Sequence, residues 1–137
     1  MKYVLDASVA VAALRRNEPG HASALRHCMP LFTGRDHAVV PAIFDIEVVS
    51  ALVRRGVAID RVSLFFETHF SSRTLVTIGA RAVQSVRAVV GLTRLRAADA
   101  LYVWLAARDR LPLVTTDAEI LQRAAQAGVH AMAPGGR

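Results

Sequence analysis

Four acids carry the chemical interest of this chain: Asp6 in YVLDASV, Glu47 in PAIFDIEVVSAL, Asp99 in LRAADALYVWLAAR and Asp117 in LVTTDAEI. Each lies in or beside an apolar run, where an unpaired carboxylate is costly to bury. Each also has a plain structural reading. Asp6 stops the run Tyr3-Val4-Leu5 and is either a helix cap or a working carboxylate. Glu47 reads as the polar face of a helix, as neighbouring Asp45 does. Asp99 is the only acid in a long small-and-apolar helical run, with Arg96 three residues earlier as a structural partner. Asp117 competes with Thr115 and Thr116 for a capping role.

Taken together the four suggest more. Carboxylates gathered at one edge of a sheet repel one another unless a cation lies between them. Oxygen-only donors suit hard divalent ions such as Mg²⁺ or Mn²⁺. An ion so held polarises a phosphate and activates water for in-line attack. The other acids have simpler uses. Asp60 reads as a cap, and Glu18, Asp36, Glu67 and Asp109 read as solvated groups in turns or at helix ends.

Something must bring four distant acids together, and the order of elements offers it. Strands are expected at 3–5, 38–40, 74–78, 113–115 and 129–132, each apolar or β-branched and bounded by turn residues. Helices are expected between them, the first capped by Ser8 and broken at Asn17-Glu18-Pro19-Gly20, the second over 21–31. Pro41 suits the first turn of a helix over 42–55 closed by Gly56. Further helices are expected after Asp60 to 70, and over 80–90, 97–109 and 118–127. Alternating strands and helices define an α/β sandwich around a mainly parallel sheet. Sites in such sheets lie beyond the carboxyl ends of the strands, where Asp6 and Asp117 fall.

Composition narrows the field. The 137 residues suit one domain over 1–133, with a loose tail at 134–137, and 53% hydrophobic content allows a sizeable core. No apolar run approaches a membrane span, and Asp6 interrupts the N-terminal apolar stretch, so a cytoplasmic protein is expected. Cys28 is alone, which rules out an internal disulfide, and the five histidines form no ligand pair. The net charge of +6 rests on sixteen arginines and one lysine, scattered along the chain. A polyanionic partner such as RNA or DNA fits that charge, although an arginine-for-lysine skew also follows from genome base composition.

LDAS, the Pro41-to-Glu47 spacing on a helix, RAADALYVWLA and LVTTD, in this order between Asp6 and Asp117, resemble the PIN domain, and in particular the small VapC ribonucleases of toxin–antitoxin pairs. The resemblance implies a three-layer α/β/α fold and a site built from Asp6, Glu47, Asp99 and Asp117 that binds Mg²⁺ or Mn²⁺. It implies hydroxyl support from Ser8 and Thr115, endonucleolytic hydrolysis of RNA, a homodimer, and a small cognate antitoxin. Glu119 is a candidate for the further acid often found shortly after the final Asp. Arg94 and Arg96 are read as balancing local charge rather than contacting RNA.

Two other classes compete. A phosphotransfer protein using Asp6 as nucleophile would need a downstream lysine, yet the only lysine is Lys2. P-loop and serine-hydrolase signatures are missing. A non-toxin processing nuclease, or a non-catalytic PIN-like module binding RNA or protein, is separated from the toxin reading by cleavage and growth assays.

Overall fold

Tyr3, Val4 and Leu5 are wholly buried in β1 (Lys2–Leu5), the central strand of a parallel sheet. A strand covered on both faces needs an unbroken apolar run, which is what these residues supply. The computed structural model describes residues 1–135. After β1 come α1 (Ala7–Leu14), α2 (His21–Phe32), β2 (His37–Pro41), α3 (Ile43–Arg54), α4 (Ile59–His69) and β3 (Arg73–Val76). The chain continues through α5 (Ala80–Thr93), α6 (Ala97–Asp109), β4 (Leu113–Val114) and α7 (Ala118–Arg123). A 3₁₀ turn (Ala124–Ala127) leads into β5 (Ala131–Met132).

Strand order is β3-β2-β1-β4-β5. Val4 is opposite Val39 on one side and Leu113 on the other; Val39 is opposite Thr74, and Val114 is opposite Met132. From β1 the chain steps outward to β2 and β3, then returns to lay β4 on the other side of β1. Right-handed crossovers running in opposite directions put their helices on opposite faces. Accordingly α1 packs on α2 and α3 on one face, while α5 packs on α6 and the 3₁₀ turn on the other. The reversal between β1 and β4 is a topological switch point, the usual place for a site in such sheets.

The core runs from Tyr3 through Phe44, Phe70 and Leu105 to Tyr102, all buried. Helix α1 is apolar nearly all round, and five of its residues are small enough to let α2, α3 and the sheet approach closely. Among the described residues, no helix is long and apolar enough to cross a membrane.

Several local expectations are corrected. Pro41 is the last residue of β2, opposite Val76, and the next helix starts at Ile43. Proline is tolerated there because the ladder is ending, and the following Ala42 N–H donates to the Val76 carbonyl at 2.9 Å. Asp60 lies inside the first turn of α4, after an N-cap at Ala58, where its charge favours the helix N-terminus. Asp36 is buried rather than solvated, its carboxylate 2.9 Å from the Met1 amino group. Glu18 and Asp109 are ion-paired, with Arg55 and Arg108 respectively. Of the expected tail, Pro134 and Gly135 form a turn and the Gly135 N–H donates to His27 Nδ1 at 3.0 Å. Residues 136–137 lie outside the described residues.

Candidate active site

The first strand delivers Asp6 to the sheet edge in an extended conformation, φ −76° and ψ 143°, at the N-cap position of α1. Its side chain makes no capping hydrogen bond. Instead, Asp6 Oδ2 accepts from Ser8 Oγ at 2.7 Å and from Thr115 Oγ1 at 2.7 Å. The expectation that Ser8 caps the helix is thereby corrected. The helix starts at Ala7, and Ser8 in its first turn is drawn to Asp6 because an acid there is a stronger acceptor than helix geometry offers. Ser8 Oγ also accepts the Thr116 N–H at 3.3 Å, so β1 and the segment after β4 are tied twice.

Asp117 combines both of its readings. Its Oδ1 accepts from the Ile120 N–H at 3.0 Å and caps α7, while its own N–H donates to Thr115 Oγ1 at 3.0 Å. Its charge also acts on Asp6 and on Asp99. Glu47 lies half-buried one turn into α3, and its Oε1 accepts from the Tyr102 hydroxyl at 2.6 Å. Asp99 is in the first turn of α6, half-buried, with exposed Arg96 at the N-cap position.

Asp6, Glu47 and Asp99 are each raised by burial and by the charge of at least one other acid of the set. Burial raises the Asp6 carboxyl above its ordinary range and the Asp117 charge adds to this, against the lowering by Ser8 and Thr115. Burial also raises Glu47, opposed by the Tyr102 hydrogen bond and reinforced by the Asp6 charge. Asp99 is pushed up to about 6, first by burial, then by Asp117 and Asp6, with Arg96 pulling the other way and Glu47 adding a little. Proton affinities raised in this way mark carboxylates withdrawn from water first and set near like charge second, a pattern common at functional sites.

The donor set is all carboxylate, which is the chemistry Mg²⁺ and Mn²⁺ prefer. Among the described residues, no group of three or more acidic, histidine or cysteine side chains is arranged to hold a metal ion. Two of the four have other commitments, Glu47 to Tyr102 and Asp117 to its helix cap. The acids therefore match a divalent ion in donor type, while their side chains as placed form no group that could hold one.

Tyr102 is the residue that sequence reasoning missed. It is wholly buried, and burial followed by the Glu47 hydrogen bond raises its hydroxyl well above the ordinary tyrosine range. It therefore stays a proton donor to Glu47. The available signal was its position three residues after Asp99, on the same helix face. Glu119 lies in the first turn of α7, and among the described residues no hydrogen bond or ion pair ties it to the four acids. Arg94 ends α5 in a left-handed conformation at φ 57°, its carbonyl accepting from Arg123 at 3.3 Å. Arg96 acts on Asp99 through charge rather than through an ion pair.

The PIN domain family model matches residues 3–126, and the chain belongs to that family, whose members are generally nucleases and typically use divalent metals. Among curated proteins, none matches significantly. Solved structures share the fold. A FitAB complex bound to the IR36 DNA fragment is 16% identical, with 100% of this chain and 97% of that one covered and a TM-score of 0.74. FitAcB from Neisseria gonorrhoeae is 17% identical over 100% of both chains, TM-score 0.70. VapBC2 from Rickettsia felis, bound to a DNA fragment from its promoter, is 14% identical over 97% of this chain and 98% of that one, TM-score 0.69.

Proposed function

We propose that this protein is a metal-dependent endoribonuclease acting as the toxin of a two-component toxin–antitoxin pair. The observation that carries the reading is the buried Asp6 at the switch point, fixed by Ser8 and Thr115 and coupled through charge to Glu47, Asp99 and Asp117. Four mutually repelling carboxylates weaken the fold, and a cation between them removes that repulsion. Asp6, Glu47, Asp99 and Asp117 would hold Mg²⁺ or Mn²⁺. Such an ion, when bound, supplies Lewis acidity and an activated water for phosphodiester hydrolysis.

The chain's own groups have separate tasks. Ser8 and Thr115 hold one Asp6 oxygen in place, which preserves the carboxylate orientation that a ligand needs. Tyr102 does the same for Glu47 across the sheet edge. Asp99, poised near neutrality, exchanges its proton easily as the site fills. The net charge of +6 attracts the RNA polyanion toward an acidic centre that only a cation makes receptive.

A small cognate antitoxin, homodimerisation and a cytoplasmic setting complete the reading. The antitoxin is supported by the motif resemblance and by the shared fold of the FitAB and VapBC2 complexes, the homodimer by the resemblance alone and the cytoplasmic setting by the sequence. The test has two arms. Purified protein is expected to cut RNA with Mg²⁺ or Mn²⁺, and the activity is expected to vanish in Asp6→Asn and Asp99→Asn. Induction in a bacterial host is expected to arrest growth, with relief on co-expression of the small neighbouring gene product. Wild-type protein that cuts no RNA with either ion would refute the nuclease; harmless induction of an active nuclease would refute the toxin.

A further inference from the structure

Helix α3 carries a second feature beyond Glu47. Residues seven apart return to nearly the same helix face, about 10 Å further along the axis. Arg54 is seven residues after Glu47, Arg55 is eight after it, and Ser50 and Ala51 lie between. A cleft of about 650 Å³ runs along this stripe from Ile43 and Glu47 to Arg54 and Arg55. A neighbouring cleft of about 480 Å³ joins Ser8 and Thr116, at the acidic site, to Glu47, Glu18 and Arg55. The two share Glu47, Ala51 and Arg55, so they adjoin along α3 and together form a groove from Ser8, Thr116 and Glu47 to the arginines.

The charges at its far end are unbalanced. Arg54 is exposed and has no acidic partner among the described residues. Arg55 pairs with Glu18 and donates to the Ala51 carbonyl at 2.9 Å. Arg15 Nε is 3.9 Å from Glu18 Oε1, beyond hydrogen-bond reach, and is a buried donor without an acceptor among the described residues. Arg15 and Arg55 thus share Glu18 while Arg54 has no acid, and with Glu47 counted the three guanidinium groups exceed the two carboxylates by one positive charge (three minus two). Guanidinium groups in a groove beside carboxylates suit a bound polyanion, since each presents a fork of donors to phosphate oxygens.

We propose that this groove is the track for the RNA backbone, with Arg54 and Arg55 as phosphate contacts and Glu18 as the acid that occupies Arg55 in the absence of RNA. The proposal rests on the nuclease reading above and names its substrate-binding wall. A single strand fits an open groove of this kind, and its affinity must depend on salt through released counterions.

The test measures binding separately from cleavage. With all four acids intact and Ca²⁺ in place of Mg²⁺, so that the oxygen ligands stay occupied while cleavage is slowed, a short fluorescent single-stranded RNA is titrated at several salt concentrations. Arg54→Gln and Arg55→Gln are each expected to weaken binding about 5-fold at 0.1 M salt and to lower the log–log salt slope by about 0.7. Glu18→Gln is expected to tighten binding, because it removes the acid that competes with phosphate. A merely structural strut between α1 and α3 would give a lower melting temperature and no such gain. Arg110→Gln, at the opposite edge of the sheet before β4, is expected to change nothing.

Unaltered affinity and slope in Arg54→Gln would overturn the track, as would an equal loss in Arg110→Gln. Arg54 has no partner to lose, so this variant decides the matter even if Arg55→Gln folds poorly. Protein that shows the arginine pattern but cuts no RNA would refute the nuclease and keep the track. Protein that cuts RNA with unchanged KM in both arginine variants would do the reverse.

Discussion

Thr115 gives its hydroxyl hydrogen to Asp6 Oδ2 at 2.7 Å across 109 positions of sequence. The bond joins the carboxyl ends of β1 and β4, the two strands between which the chain reverses direction. Thr115 is fully buried, so no solvent can replace the bond if it is lost. It also accepts the Asp117 N–H, and thus links two of the four acids through one side chain.

Thr115→Val keeps the shape and removes this donor. The Asp6 carboxyl is then expected to rise further, since the Thr115 hydrogen bond lowers it. RNA cleavage is expected to fall about 10–100-fold, the usual effect of removing a group that orients a ligand. The melting temperature is expected to drop by a few degrees, reflecting about 1–3 kcal/mol for the stranded Asp117 N–H. Full activity with a reduced melting temperature would show that Thr115 serves the fold alone.

Tyr102→Phe leaves the core filled and deprives Glu47 of its only side-chain donor in the described structure. Weaker metal binding, by about 10-fold, is the expected outcome in a titration. An unchanged metal affinity would remove Tyr102 from the site.

Asp117 serves two ends, and two substitutions separate them. Asp117→Asn keeps an acceptor for the Ile120 N–H but removes the charge; cleavage is expected to disappear with little change in melting temperature. Asp117→Ala loses the cap as well, and about 1 kcal/mol of stability with it. Equal melting temperatures for the two variants would rule out the capping role.

Asp99 has the clearest pH signature. Between its ordinary value of 3.8 and about 6, the folded chain holds a proton that the unfolded chain has lost. Stability is therefore expected to fall as pH rises through that window, and the penalty is complete above about 6. Asp99→Asn removes it, which should raise the melting temperature of the metal-free protein at pH 7.5 by about 2–6 °C, allowing for a half-exposed group. At pH 4 the gain should vanish. A variant less stable than the parent at pH 7.5 would contradict a charge on Asp99 disfavoured by burial and by Asp117 and Asp6.

Reading from sequence worked where the signal was local and failed where it depended on a returning strand. Asp6 and Asp117 were legible because an acid directly after a buried strand falls at the carboxyl edge of a parallel sheet. Glu47 and Asp99 stood out only as acids in apolar helices, and the PIN motif was needed to join them. Read locally, Ser8 looked like a cap because nothing nearby reveals that Thr115 comes back beside Asp6; only the PIN resemblance had named Ser8 and Thr115 as supporting hydroxyls. Tyr102 was passed over because an aromatic residue in a buried helix looks like core until its partner is known. That partner lies 55 residues away. Asp36 looked solvated for a similar reason, since its amino-group partner lies 35 positions earlier.

The central claim is that four carboxylates share a cation, and calorimetric titration of metal-free protein with Mn²⁺ or Mg²⁺ at pH 7.5 tests it most directly. Saturable binding is expected, with a stabilisation of about 2.7 kcal/mol at a hundredfold excess over Kd. Binding should weaken at pH 5.5, where Asp99 takes up a proton, and should be lost in Asp6→Asn and Asp99→Asn. A native chain that binds neither ion, or an Asp6→Asn variant that binds as tightly as the native chain, would contradict it.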